Sequence, residues 1–375
     1  MDKESFANHV FNYVHLLGSY LNKKPSDLKL DENTFNFYLK LSKHHSLTVV
    51  FYKALIDTKT DVNPEYLKKL EEYYFANVRK LALFEKERKE LYKYLNNNQI
   101  DFLPLKGIVL KDYYLDKHTR EFADNDILFA ADKDKLIKDF FVNRGYKTES
   151  FRKSNHDVYL KKPFYNFEMH RALFSKREDI PLYAHYFENY IKDSPIKDGY
   201  EHHLNNEDFY IYFTAHTYKH FQNSGCGIRT LIDYYLYLKN NDLDFAYIDQ
   251  ELEKLELKDF SHQIIALSQK IFDNAELNEE EKEMLLYIAS SGTYGTLEHS
   301  VKKGVNKKGR FKYFMQRVFP PMSFYKTNYP FMYKTKVLIP LAWLIRFFRI
   351  LFKNPGRAAK ELKMISKTKK DKKSD

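Results

Sequence analysis

Cysteine is nearly absent from this chain: Cys226 stands alone among 375 residues. A single cysteine excludes an intramolecular disulfide, a cysteine-rich zinc site and a C-x-x-C redox pair, and it points to a reducing compartment. Glycine is scarce too, eleven residues scattered along the sequence, and neither G-x-G-x-x-G nor G-x-x-x-x-G-K-[ST] occurs. The glycine-rich loops of dinucleotide and P-loop sites are therefore excluded. Long apolar runs are also missing. The most apolar stretch, Val337 to Phe352, is 16 residues long and carries Pro340, Arg346 and Arg349, whereas a membrane span needs roughly 20 apolar residues. The opening MDKESFANHV is polar and acidic where a secretory signal has a basic start and an apolar core. The expectation is a cytoplasmic protein.

What the chain has in abundance is apolar and aromatic mass, with 43% hydrophobic residues, 31 Tyr and 31 Phe. That composition excludes disorder and collagen-like repeats. The length suits two or three domains. The net charge of +11 invites a nucleic-acid partner until it is resolved along the chain. Residues 299–375 hold 21 Lys and Arg against 3 Asp and Glu, or +18, which leaves 41 basic and 48 acidic residues, or −7, in residues 1–298. An acidic body with no basic groove does not suit a nucleic-acid backbone.

Periodicity divides the chain. Apolar positions near a 3.6 period predict helices over Phe6 to Leu21 and Tyr66 to Leu95, the latter ending at Asn96-Asn-Asn; Asp31-Glu-Asn-Thr predicts a helix start. The texture changes at Ile100 to Leu105. Asp126 to Phe129 reads as a strand, Asp132 to Arg144 as a helix closed by Gly145, and His156 to Leu160 with Tyr165 to His170 as paired strands. Helical patterns return from Pro181 to about Ser290, clearest over Asp208 to His220 and Ile228 to Leu238. The predicted organisation is an α+β protein. A helical N-terminal region (1–98) precedes an α/β core (99–180), and a helical pocket-forming region (181–298) precedes a basic C-terminal segment (299–375).

The chemistry concentrates in the α/β core. Asp124 and Asp126 stand two apart at the start of a strand, so both carboxylates project to one face. Two such oxygen donors suit a hard divalent cation, and Glu168, between Phe167 and Met169 on a later strand, adds a third carboxylate if the strands are neighbours. A bare D-x-D is more often a solvated turn. A calcium loop is excluded because Ile127, Leu128 and Phe129 follow. Lys106-Gly107 ends an earlier strand and opens a helix, where free N–H groups favour phosphate. Arg120, just upstream of Asp124, can meet phosphate or fix a carboxylate. His170 shares the strand face of Glu168, as an orienting residue for that carboxylate or as a histidine at the core edge.

These residues together, Leu105-Lys-Gly-Ile-Val-Leu, Tyr113-Tyr114, Arg120-Glu-Phe-Ala-Asp-Asn-Asp-Ile-Leu, Gly145-Tyr146 and Phe167-Glu-Met-His, resemble the uncharacterised bacterial nucleotidyltransferase family of the DNA polymerase β-like superfamily. The resemblance is close over about residues 100–172 and weaker around Leu41 to Leu55 and in the helical part. It implies a small mixed β-sheet with helices on one side, flanked by helical regions. It also implies Asp124 and Asp126 as metal ligands, with Glu168 as the third carboxylate. Lys106-Gly107 replaces the Gly-Ser phosphate turn usual in the superfamily. The implied activity is Mg²⁺-dependent transfer of a nucleoside monophosphate from an NTP such as ATP to a hydroxyl acceptor, with release of pyrophosphate. Two Mg²⁺ ions would be held by the carboxylates, and the acceptor would be a small molecule or a protein.

A second cluster, His216-Thr-Tyr-Lys219-His220 followed by Arg229 and Asp233, puts His216, Lys219 and His220 on one helix face. The resemblance extends to this pattern and makes Lys219 and Arg229 nucleotide-binding candidates. The plainer reading is a surface histidine pair and an Arg229–Asp233 helix pair. Cys226 has no partner set that would make it a nucleophile. The tail, with Trp343, Phe347, Phe348 and Phe352 beside Arg346, Arg349 and Lys353, resembles an amphipathic helix for an anionic inner membrane face, or else packs on the body; its charged end from Lys367 reads as disordered. Two other functions compete with transfer: a non-catalytic nucleotide-binding or antitoxin-like partner, and a nucleic-acid binder acting through the tail.

Overall fold

The structure, a computed structural model, describes residues 2–176, 181–223 and 225–292. The chain divides into two units, Met1–His220 with Cys226–Thr293 and Phe221–Gly225 with Tyr294–Asp375. The architecture below is that of the first. The expectations for residues 299–375, amphipathic helix and disordered end included, lie outside the described residues.

Four helices come first: α1 (Lys3–Leu21), α2 (Glu32–His45), α3 (Thr48–Asp57) and α4 (Pro64–Asn97). Asp31 caps α2 as its sequence suggests, accepting the Thr34 N–H at 2.7 Å. In α4 the buried residues Leu70, Leu81, Phe84, Arg88, Leu91 and Leu95 form one stripe, which fixes the face it packs inward. The α/β core follows as β1 (Phe102–Pro104), α5 (Gly107–Leu110), β2 (Asn125–Phe129), α6 (Asp134–Asn143), β3 (Lys147–Ser150), β4 (His156–Lys161) and β5 (Tyr165–His170). After it come α7 (Pro181–Tyr186), α8 (Tyr190–Asp193), β6 (Ile196–Asp198), β7 (Glu201–His202), α9 (Asn206–Asn223), α10 (Ile228–Asn240), α11 (Phe245–Lys254), α12 (Lys258–Phe272) and α13 (Glu279–Ser291).

The seven strands form one mixed sheet in the order β3-β4-β5-β2-β1-β7-β6. β2 lies at its centre, antiparallel to β1 and parallel to β5. The short strands β6 and β7 correct the purely helical reading of the region after Pro181, and β3 is an addition. β3 and β6 escape pattern reading for one reason. Lys147–Ser150 and Ile196–Asp198 lie at sheet edges, with no buried residue in either, so ladder bonds rather than an apolar pattern define them.

One face of the sheet carries the core. Phe102, Ile127, Phe129, Tyr159, Phe167 and Met169 pack against Leu91 and Leu95 of α4 and Ile137 and Phe141 of α6. Strand side chains alternate, so residues 126, 128, 168 and 170 belong to the opposite face. Burying the apolar set therefore commits the acidic set to the other side.

Candidate active site

The placement of Asp126 begins with its neighbour. Asn125 is fully buried and points to the helix-packed side. There Arg88 of α4 donates to its Oδ1 at 2.7 Å, and its Nδ2 donates to the Asn166 carbonyl at 3.1 Å. A polar residue on the core side of a central strand needs such partners, and they lock the strand so that Asp126 faces the other side of the sheet. The loop leading to Asp124 is stapled along α4: Tyr74 donates to Asp116 at 2.9 Å, Asn77 to the His118 carbonyl at 2.6 Å and Lys80 to the Phe122 carbonyl at 2.7 Å.

Sheet register then assembles the rest. Asp126 is paired with Glu168 across β2 and β5, and His170 with His156 across β5 and β4. Asp126, Glu168, His170 and His156 therefore share one face. Lys106 Nζ donates to Asp126 Oδ1 at 2.7 Å, and His170 Nε2 reaches the same oxygen at 2.8 Å. His170 thus orients Asp126 rather than Glu168. His156 Nε2 lies 3.7 Å from Glu168 Oε2. Lys106 itself holds a backbone φ of +47° at the turn into α5, a conformation costly for a residue with a Cβ.

The electrostatics follow from crowding like charges in a buried place. Burial first, then the Asp126 carboxylate, push the Glu168 carboxyl up to about 7. The same two causes raise Asp124. Burial works against the charge on Asp126, but Lys106 and the hydrogen bond from His170 outweigh it and hold this carboxyl well below the ordinary range. Burial and the charges of His170 and Lys106 push His156 down to about 4, so its imidazole is neutral at pH 7. The charge of Lys219 on α9 also reaches Glu168 and His170, and its Nζ lies 5.9 Å from the centre of the Phe174 ring. Burial pushes Tyr212 of α9 up and His216 down, and the charge of Lys106 acts on both. One face of α9 therefore confronts the carboxylates, as the His216-x-x-Lys219-His220 spacing suggests.

Other predicted residues are placed differently. Arg120 makes a buried bidentate pair with Asp233 of α10, Nε to Oδ1 and Nη2 to Oδ2 both at 2.8 Å, and Tyr114 donates to the same Oδ1 at 2.8 Å. The Arg229–Asp233 helix pair expected from spacing is thus replaced by Arg120–Asp233, while Arg229 donates to the Glu121 carbonyl at 2.5 Å. Gly107 is required by the same crowding: a Cβ there would lie 2.7 Å from Arg120 Nη1. Cys226 is buried, and burial pushes its thiol up to about 12, so it is no nucleophile.

His156, Arg88 and Tyr212 were not anticipated from the sequence. A signal for His156 exists: a tight turn joining Lys161 to Tyr165 places His156 opposite His170 by counting back along the hairpin. Among the described residues, the group whose ligand atoms lie within 4.8 Å of one another is His156, Glu168 and His170. His216 and His220 do not belong to it. Among the described residues, too, no helix is long and apolar enough to cross a membrane.

A central strand thus opens on two aspartates, with Glu168 in register beside Asp126 and a Lys-Gly turn ahead of them. Residues 31–273, from the start of α2 to the end of α12, match the model of a family described as uncharacterised nucleotidyltransferase, and the chain belongs to that family. No curated protein and no solved structure matches it.

Proposed function

We propose that the protein transfers a nucleoside monophosphate from an NTP to a hydroxyl acceptor, using Asp124, Asp126 and Glu168 to hold divalent cations and Lys106, Gly107 and Lys219 to receive the triphosphate. The observation that carries this reading is the Asp126–Glu168 register pair, with Asp124 two residues away and Lys106 on Asp126. The donor set suits a hard cation: all three groups are carboxylates, and burial together with the Asp126 charge raises Asp124 and Glu168, a crowding that positive charge relieves. Magnesium at these carboxylates would supply charge neutralisation for the triphosphate and a more acidic acceptor hydroxyl.

The chain's own residues do the rest. Glu168, with its carboxyl near neutrality, takes the proton of the acceptor hydroxyl as the oxygen attacks the α-phosphorus. The bond from that phosphorus to the bridging oxygen breaks, and pyrophosphate leaves. Lys106 and Lys219, both within electrostatic reach of Glu168, neutralise phosphate charge as point cations. Arg120 acts indirectly, since its pair with Asp233 links the approach to β2 with α10; Arg229 does the same at Glu121. The acidic body favours a small molecule or a protein as acceptor.

The test is a thermal-shift panel of ATP, GTP, CTP and UTP with and without Mg²⁺, paired with a pyrophosphate-release assay. The parent protein should show a Mg²⁺-dependent shift with at least one nucleotide. Asp126→Asn should lose that shift and about two to three orders of magnitude of turnover. Unchanged nucleotide binding and release in Asp126→Asn overturns the proposal.

A further inference from the structure

Beside the three carboxylates lies a donor set of different chemistry. His156 Nδ1 is 3.3 Å from Asn155 Oδ1, an acceptor that keeps the proton on Nδ1 and leaves the Nε2 lone pair toward Glu168. His170 donates through Nε2 to the Asp126 carboxylate, which only accepts, so Nδ1 holds the lone pair. That Nδ1 is buried without a hydrogen-bond partner, on a side chain 5% exposed. His156, Glu168 and His170 each bring a ligand atom within 4.8 Å of the other two, and each imidazole has one nitrogen engaged by an oxygen, the way proteins orient histidines around a transition metal.

We propose that His156, Glu168 and His170 form a binding site for a borderline divalent transition ion, Zn²⁺ above all, adjoining the Asp124–Asp126 pair and sharing Glu168 with it. Imidazole nitrogen suits Zn²⁺ and its neighbours, whereas Mg²⁺ takes oxygen. The separation of His156 Nε2 and Glu168 Oε2, 3.7 Å, is close to the roughly 3.4 Å edge of a tetrahedron drawn at Zn–N and Zn–O distances. Asp126 stands behind His170 as the outer carboxylate that fixes its ring. The site requires no nucleotide and does not depend on transfer activity.

The experiment uses the full chain, dialysed against chelator, loaded with Zn²⁺ or Co²⁺ and desalted. Metal per chain is then measured by mass spectrometry, and the visible absorption of Co²⁺ reports nitrogen ligation. One ion per chain should be retained in the presence of excess Mg²⁺. His156→Gln, at a half-buried position that tolerates the change, should weaken retention by at least about tenfold, and His156→Gln/His170→Asn should abolish it. Asp124→Asn, which removes a carboxylate of the proposed transfer site, should retain the ion, so the two readings fail separately. Failure of the parent to retain Zn²⁺, or retention by the double variant equal to the parent's, overturns the assignment.

Discussion

Replacing Lys106 by Met removes the ammonium that lies 2.7 Å from Asp126 and keeps most of its aliphatic stem. At an effective dielectric of about 20, that separation corresponds to about 6 kcal/mol of attraction. Desolvation of both groups on folding takes back part of it, and removing one partner of a buried pair costs about 3–5 kcal/mol. The Lys106 side chain keeps 20% of its exposure, which sets the expectation at the lower end, about 3 kcal/mol. At about 2 °C per kcal/mol for a chain of this size, Tm should fall by about 6 °C. The loss should also depend on pH. Burial, aided by the charge of Lys106, holds His170 down while Asp126 pulls it up. A lowered His170 pKa costs the parent stability as pH falls through the ordinary histidine range, and without Lys106 that pKa rises and the cost lessens. The deficit of Lys106→Met should therefore shrink between about pH 8 and about pH 6. Added Mg²⁺ should narrow it as well, because a cation at the carboxylates replaces the missing charge. Calorimetry of parent and variant at both pH values, in chelator and in Mg²⁺, gives the comparison. A variant as stable as the parent at pH 8 in chelator refutes the argument, as does a deficit that responds to neither proton nor metal.

Two further changes probe what supports the site. His45 is fully buried, its Nε2 donating to the Ala289 carbonyl at 2.9 Å and its Nδ1 accepting from Ile228 at 3.2 Å. Burial pushes it down to about 3. The unfolded chain then binds the extra proton below about pH 6.5, and stability should fall by about 2 kcal/mol at pH 5. Urea midpoints should show this slope flattened in His45→Gln; equal slopes would count against a neutral, buried imidazole. Asp233→Asn leaves Arg120 buried without its countercharge and should cost about 3–5 kcal/mol. Adding Arg120→Met should recover most of that loss in a double-mutant cycle, and additive losses would show that the pair does not couple.

The sequence was most informative where a charge interrupts an apolar pattern. Asp126 ahead of Ile127, Leu128 and Phe129, and Glu168 between Phe167 and Met169, have no place in an apolar core, so their alternation already assigns them to the face opposite it. The structure puts them in direct register. What spacing could not supply was the partner of each charge. Arg120 and Asp233 are 113 residues apart, and a reader of local pattern pairs Asp233 with Arg229, one helical turn away. Long-range pairs of this kind are set by packing between α10 and the loop before β2, which no window of the sequence contains. Lys106 is a similar case: its residue type suggests phosphate, whereas the fold gives it Asp126.

That last contact bears on how the site is held ready. Three carboxylates on one buried face repel one another, and a fold that assembled them without compensation would lose stability or take up protons. Lys106 answers for Asp126, and its strained backbone at φ +47° is the cost of reaching that oxygen from the turn into α5. Among the described residues Glu168 has no such partner at hydrogen-bond distance; the neutral His156 lies 3.7 Å away, and burial with the Asp126 charge raises the Glu168 carboxyl to about 7. The two carboxylates in register thus differ in kind, Asp126 held well below the ordinary carboxylate range by Lys106 and His170 and Glu168 raised toward neutrality by burial and Asp126. Such a division between two groups is what acid–base chemistry at pH 7 requires. It arises here from which side of β5 Lys106 and His156 occupy.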